Sequence, residues 1–568
     1  MWSDAVVNRV YERLMVCVLI VVGIIACGAM GGDDELTCPE VTRTVLDCGV
    51  EVVVYARDDL VGETQVWVRL HHGSMHELDH ERGASVLASR AAVLGVGGIS
   101  GDRISDMLGT QPDRGVIGER VRVGLGHIEF PFEVGDPGLS SDLDSDLGSE
   151  WSKMRDAMRV GRALVDGYVP SDEAIDRARE GVLGEVDRID EEEVDRSLMR
   201  RWIPELVGGS GYGKLPIPSR DVVAGISGDA VRGSVERLWS ADRASVLVVG
   251  DVDADEVIGL AREVFDGCDG ERHGHREDPF PIVFEEGLGG RVVTLGDERV
   301  GLSRIGLVWF GQTHEPRWDD AGVQDLLVMA LVGESMRHRV SLMLGAELSN
   351  IEQVRVDAGD LLGRARYGQI VAVFDHGSGE VAEQDWGRVI RAMERERVRL
   401  VRDGVSASEI ERAREWLIQQ WGYEVDQWKG STTDELARSL SWMMMMDRPL
   451  VELEDWVDWA RGMLDGVGRD EIHDVIRAMF YGEPAVLVLL DTEDAADEAD
   501  IRSALMSARA DELPALAEGW IDELSGPILE RTGGRVGPRG SRDDFSGEVD
   551  EISLHPASGV VSAKLGNG

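Results

Sequence analysis

Four short apolar runs frame the chain. Gln65-Val-Trp-Val-Arg-Leu70 has the alternation of a strand and runs into Gly73, and Arg304 to Gly311 (RIGLVWFG) repeats the pattern about 240 residues later. Ser245 to Gly250 (SVLVVG) and Ala485 to Leu490 (AVLVLL) read as buried strands, again about 240 residues apart, and an acidic helix start follows each. Asp253-Ala-Asp-Glu256 has capping-box spacing ahead of a helical run from Val257 to Phe265. A helical segment recurs as well. Ser171 to Glu180 (SDEAIDRARE) and Ser406 to Glu415 (SASEIERARE) stand 235 residues apart, with seven of ten positions identical or exchanging Asp for Glu.

These recurrences predict an α+β chain of two homologous modules, at 40–270 and 293–495. Each would hold a mainly antiparallel sheet with helices packed on one face, its strands early, its helices central, and a strand plus helix at the end. Residues 271–292, rich in Gly, Pro and charge, read as the linker, and His273 and His275 within it as solvated. An acidic tail, 496–568, would carry one or two helices up to Ile521 and be partly disordered where Gly, Arg, Ser and Asp dominate, from Thr532 to Gly547.

The length of 568 residues accommodates several domains, and 43% apolar residues support packed cores. With 59 basic against 107 acidic residues the net charge is −48, which argues against a nucleic-acid partner because phosphates would be repelled. At the N-terminus, Arg9 and Arg13 precede an apolar run from Leu14 to Ala26, too short to span a bilayer but suited to an export signal. Its end, Ile24-Ile25-Ala26-Cys27-Gly28, resembles a bacterial lipobox. Residues 1–27 are thus expected to be a lipoprotein-type signal, Cys27 the lipidated residue, and the cell envelope the location, periplasmic or at the outer membrane. Membrane contact would come only through this segment. Of the five cysteines, Cys17 and Cys27 lie in the signal region; Cys38 and Cys48 are close enough to close a small loop in an oxidising compartment, which leaves Cys268 over. No repeated CxxC pair is present, so a cysteine-rich zinc site is not expected.

The segment His71 to Gly95 (HHGSMHELDHERGASVLASRAAVLG) carries the strongest chemical signal. A strand, Thr64 to Leu70, leads into a loop with Gly73-Ser74 and Glu77, and a helix opens at Arg82-Gly83-Ala84. With the duplication, Val248 to Glu256 (VVGDVDADE) and Gly404 to Glu415 (GVSASEIERARE), this resembles the insulinase, pitrilysin and mitochondrial-processing-peptidase family of zinc peptidases over about residues 45 to 495. The resemblance implies two α+β modules per half, with two halves enclosing a peptide chamber. It also implies an inverted His-x-x-Glu-His motif, in which one helix face offers two imidazole ligands and a Glu base to Zn²⁺.

Here those positions hold Val86, Ser89 and Arg90, which lack every one of the three functional groups. The third ligand position, a Glu on a later helix, falls on Glu185, which without the two His reads as a solvated helix charge; the duplicate has Gln420 there. The Arg and Tyr that bind substrate backbone in the family's second module correspond to Ser341 and Leu348. The resemblance therefore implies a catalytically degenerate homologue with no expected cofactor, binding peptides or an active partner chain of the same family.

One alternative stays open. His76-Glu77-Leu78-Asp79-His80 matches H-E-x-x-H, which on a helix would supply two zinc ligands and a base. An active zinc endopeptidase would use His76, Glu77 and His80, or a catalytic half from another module or chain. Against this set, Gly73-Ser74 precede the motif and Asp79 lies within it. The run Trp442-Met-Met-Met-Met446 reads as helix core, with a peptide-binding surface as the alternative.

Overall fold

The computed structural model describes residues 41–511, apart from residues 61, 111–119, 136–146, 209, 269–287, 314–319, 362–364, 376–381, 446–455 and a few scattered positions, together with a C-terminal hairpin at 549–555 and 560–565. Residues 1–40, with Cys27 and Cys38, lie outside the described residues, as do His273, His275 and the segment 532–547.

The first sheet has six strands: β1 (Val41–Val45), β2 (Glu51–Ala56), β3 (Gln65–Leu70), β6 (Arg122–Val123), β7 (Ile128–Glu133) and β8 (Ala244–Gly250); β4 (Gly95–Val96) and β5 (Ile99–Ser100) form a small separate ribbon. The order is β1-β2-β8-β3-β7-β6, with β2 and β8 parallel and the other pairs antiparallel. The second sheet contains β9 (Val292–Gly296), β10 (Ser303–Thr313), β11 (Ile351–Leu361), β12 (Ala365–Phe374) and β13 (Ala485–Leu490) in the order β9-β13-β10-β12-β11. Again a single parallel pair, β9 with β13, joins otherwise antiparallel neighbours. Reading β2, β8, β3, β7, β6 against β9, β13, β10, β12, β11 gives the same topology twice, so the sequence repeat is a structural duplication.

Helices of the first module include α1 (Ala84–Val93), α2 (Gly101–Met107), α3 (Leu147–Val165), α4 (Asp172–Glu192), α5 (Val194–Val207), α6 (Arg220–Gly225), α7 (Gly228–Leu238) and α8 (Ala254–Phe265). The second has α9 (Asp320–Glu347), α10 (Ala382–Asp403), α11 (Ala407–Lys429), α12 (Thr433–Met445), α13 (Trp456–Asp465), α14 (Arg469–Phe480) and α15 (Glu498–Ala510). The recurring Ser171 and Ser406 segments open α4 and α11. Ser171 Oγ accepts the Ala174 N–H (3.1 Å), and Glu409 accepts the Ser406 N–H (2.7 Å), so both copies conserve a helix start.

The central strands are apolar on both faces because both faces are covered. Val52, Val54, Val66, Val68, Val246 and Val248 face the module's own helices. Their neighbours Val53, Tyr55, Trp67, Leu247 and Val249 face the other way, against Leu436, Leu440, Met443 and Met444 of α12. Each module's own helices lie on one face of its sheet, as expected, and a helix of the second module covers the outer face of the first sheet. The exchange is reciprocal, since Leu198 of α5 packs on Leu295 and Leu489 of the second sheet. Polar contacts fix both docks. Thr433 Oγ1 donates to the Glu63 carbonyl (2.6 Å), Ser441 donates to buried Glu129, and Arg304 pairs with Asp195 (2.6 Å). Met443 to Met445 of the methionine run are buried core, and Met446 lies outside the described residues.

The boundary drawn at residue 495 falls inside the packed unit. Ala496 and the α15 residues Ile501, Ala504 and Leu505 belong to the second core, as the corresponding α8 belongs to the first.

Candidate functional site

The site to be tested lies where α1 begins. Gly83 caps the helix with φ of 91°, a left-handed conformation suited to glycine. Every residue of α1 is buried. Glu77 satisfies the helix start: its carboxylate accepts the N–H of Gly83 (2.8 Å) and of Ser85 (2.7 Å). The helix dipole favours an anion there. Burial nevertheless pushes the Glu77 carboxyl up to about 7, against the opposing pull of those hydrogen bonds. Lys214 holds the loop from outside, donating to the Glu77 carbonyl (2.5 Å).

The H-E-x-x-H stretch is not a helix. His76 ends one short turn (Ser74–His76) and His80 lies in another (Asp79–Glu81), with Glu77 and Leu78 extended between them. His76 Nδ1 accepts the Gly73 N–H (3.2 Å), Glu77 faces the start of α1, and His80 is exposed. The three side chains therefore do not share one helical face, because Gly73 and the tight turn into Gly83 break the run. Of the neighbouring histidines, His72 is fully buried against Trp239 (ring centroids 6.0 Å), and burial holds it well below the usual imidazole range.

One turn further along α1 stand the positions of the inverted motif. Val86 is fully buried and has no donor atom. Ser89 is fully buried too, its hydroxyl donating back to the Val86 carbonyl (3.0 Å). Arg90 is 4% exposed; its Nη1 donates to the Val121 carbonyl (2.7 Å) and its Nη2 to Glu185 Oε2 on α4 (3.3 Å). Glu185 is thus not a solvated charge. It is 7% exposed and held by Arg90, with Arg196 at 4.0 Å from its other oxygen.

The residues present do not fit a zinc ion. A cation bound to Glu185 would meet a permanently charged guanidinium, at a cost of about 4 kcal/mol per unit of ion charge at 4 Å in a protein-like dielectric. Val86 and Ser89 return no ligand. Among the described residues no group of three or more His, Cys, Asp or Glu is disposed to hold a metal.

In the second module Ser341 donates to the Arg337 carbonyl within α9 (2.7 Å), and Leu348 is buried just after that helix. Neither offers the guanidinium or the phenol ring that the resemblance would place against a peptide backbone. A feature missed from the sequence lies beside them. Arg339, 4% exposed, forms a two-point ion pair with Glu409 (2.7 and 2.7 Å) and donates to the Gly404 carbonyl (3.0 Å). The Ser406-x-x-Glu409 capping box signals the Glu, but the arginine comes from a distant helix. Gln420, the duplicate of Glu185, donates to Glu424 (3.0 Å), whose carboxyl burial pushes up to about 7.

Comparison with known proteins bears on the fold that carries this site. Residues 225–417 match the family described as the peptidase M16 inactive domain. A stretch of 256 residues, 45% of the chain, is 21% identical to the probable zinc protease PqqL of Escherichia coli strain K12, covering 26% of that protein. The crystal structure of the periplasmic protease PqqL from Escherichia coli superposes with a TM-score of 0.69 at 14% identity, covering 94% of this chain and 55% of that one. The structure of its first half gives 0.67 at 14% identity, over 85% of this chain and 99% of the half. Pitrilysin gives 0.61 at 13% identity, over 87% of this chain and 51% of its own. The chain spans about half the length of the full-length proteases it matches in structure.

Proposed function

On the premise that this chain has the insulinase and pitrilysin peptidase fold and a matched M16 inactive domain, we propose that it is a catalytically degenerate half of a peptidase chamber. It binds peptides or an active peptidase partner and does not cleave by itself. The observation that carries this reading is the buried Arg90–Glu185 ion pair, which stands where the family resemblance puts a ligand His and the third ligand. The half-length match supports pairing, because a chamber wall of this kind needs a second half to enclose a peptide.

The apolar run Leu14 to Ala26 before Cys27 supports a location at the cell envelope, as does the matched PqqL, which is described as periplasmic. Zinc is not required for the proposed role, and nothing in the placement of His76, Glu77 and His80 favours the alternative site.

The test is cleavage of a quenched unstructured peptide by the purified chain, alone and mixed with a soluble fraction of its own cell envelope, with and without chelator. The expected result is no cleavage alone. Chelator-sensitive cleavage by the chain alone, lost on His76→Ala or His80→Ala, would overturn the reading in favour of an active zinc endopeptidase.

A further inference from the structure

Strand alternation puts charge on the outer face of the first sheet, inside the dock with α12. The register sets Arg69 of β3 opposite Glu129 of β7, and Glu129 opposite Arg122 of β6. Residues paired across antiparallel strands share a face, so one carboxylate sits between two guanidiniums. Arg69 Nε donates to Glu129 Oε1 (3.3 Å), and Arg122 lies 3.9 Å from Oε2 with its guanidinium over the Trp67 ring (4.7 Å). Arg69 and Glu129 are both buried. Ser441 of α12 donates to the same carboxylate, so Glu129 is also a point at which the second module grips this face.

A fourth group joins them from the β6–β7 turn. His127 folds over Gly124, where any β-carbon would overlap the ring, and its Nε2 stands 4.0 Å from Glu129 Oε1. Its Nδ1 is buried and has no hydrogen-bond partner among the described residues. Asp434 and Arg438, on α12, pair with each other (2.6 Å), and Glu133 of β7 pairs with Arg120 (2.7 Å). Two guanidiniums and one carboxylate therefore face a neutral His127. A proton on the ring would add a third cation to a nearly dry site that holds one anion.

We propose that His127 makes the dock between α12 and the first sheet sensitive to pH: a proton on its ring loosens the grip of Ser441 on Glu129 and releases α12, while each module stays folded. Burial, with Arg69 and Arg122 against the opposing pull of Glu129, holds the imidazole below its usual range. Such a group stabilises the docked state fully above about pH 6.5, its undocked value, and that contribution is lost as pH falls below it. Burial pushes Glu129 up, but His127, Arg69, Ser441 and Arg122 hold it below the usual carboxylate range, so its own loss comes only below about pH 4.5. His72 is also held low by burial, but it packs on Trp239 within the first module, and its protonation would open that core rather than the dock.

The test is hydrogen exchange of the full chain at about pH 7.5 and about pH 5.5, corrected for intrinsic rates, comparing α12 with β3 and β8. Protection of α12 should fall by up to about tenfold between the two, the limit for an imidazole that titrates near 6.5 undocked and not at all docked, while β3 and β8 change less. His127→Gln, which cannot charge, should hold α12 protection constant within about twofold over that range. Ser441→Ala should lower it about tenfold or more at about pH 7.5. A parent in which α12 does not respond to pH would overturn the proposal. So would β3 and β8 losing as much protection as α12, which would assign the effect to His72 and the core. A folded His127→Gln chain that keeps the parent's response, or a Ser441→Ala chain with unchanged α12 protection, would overturn it too.

Discussion

Replacing Arg90 with Met gives the sharpest structural perturbation of the degenerate site. Methionine keeps most of the volume but removes the bond to Val121 and the ion pair to Glu185. Both partners of that pair are nearly dry, with side-chain exposures of 5% and 7%. Leaving Glu185 buried with only Arg196 at 4.0 Å should cost about 3–5 kcal/mol, the range for breaking a buried pair from one side. For a module of this size that corresponds to a fall of about 6–20 °C in its unfolding midpoint. Changing both residues, Arg90→Met with Glu185→Leu, removes the stranded charge and should restore most of the loss. Thermal unfolding followed by circular dichroism, completed as a double-mutant cycle, reads both effects. A single variant within about 1 kcal/mol of the parent, or a double variant no better than the single, would refute the claim that this ion pair is tightly coupled.

Three further outcomes follow from the geometry. Glu77 has a raised carboxyl in the fold, so its contribution to stability is fully present below about pH 4.5 and is lost as pH rises to about 7; Glu77→Gln should flatten that part of the pH–stability curve, and an unchanged slope would contradict the assignment. Leu440, 2% exposed at the contact between α12 and the first sheet, should cost about 2–5 kcal/mol when cut to Ala and should make the modules separate earlier under limited proteolysis. His80→Ala, on an exposed turn, should change stability by under about 0.5 kcal/mol and leave metal content unaltered.

The architecture was readable because the repeat at 235–240 residues and the doubly apolar strands are local patterns. What covers the outer strand faces was not. Apolar Val53, Trp67 and Leu247 announce a buried face, but α12, which buries it, lies far along the chain. The tail boundary failed for a related reason: α15 looks acidic and detached in sequence, while Ile501 and Leu505 place it in the core. At the site, residue types alone show that Val86, Ser89 and Arg90 lack the motif's groups. The link from Arg90 to Glu185 crosses 95 residues and appears only in three dimensions. The H-E-x-x-H match shows the opposite limit, since spacing is meaningful only on a helix and this segment forms two separate turns.

The most direct measurement compares zinc per chain in the parent and in the variant Val86→His/Ser89→Glu/Arg90→His, both dialysed against trace zinc. The rebuilt helix would again offer two imidazoles and a carboxylate toward Glu185. The account predicts far less than one zinc in the parent and about one in the variant, lost again on Glu185→Ala. About one zinc in the parent, removed by His76→Ala, would contradict it, as would a rebuilt variant that folds normally and binds none.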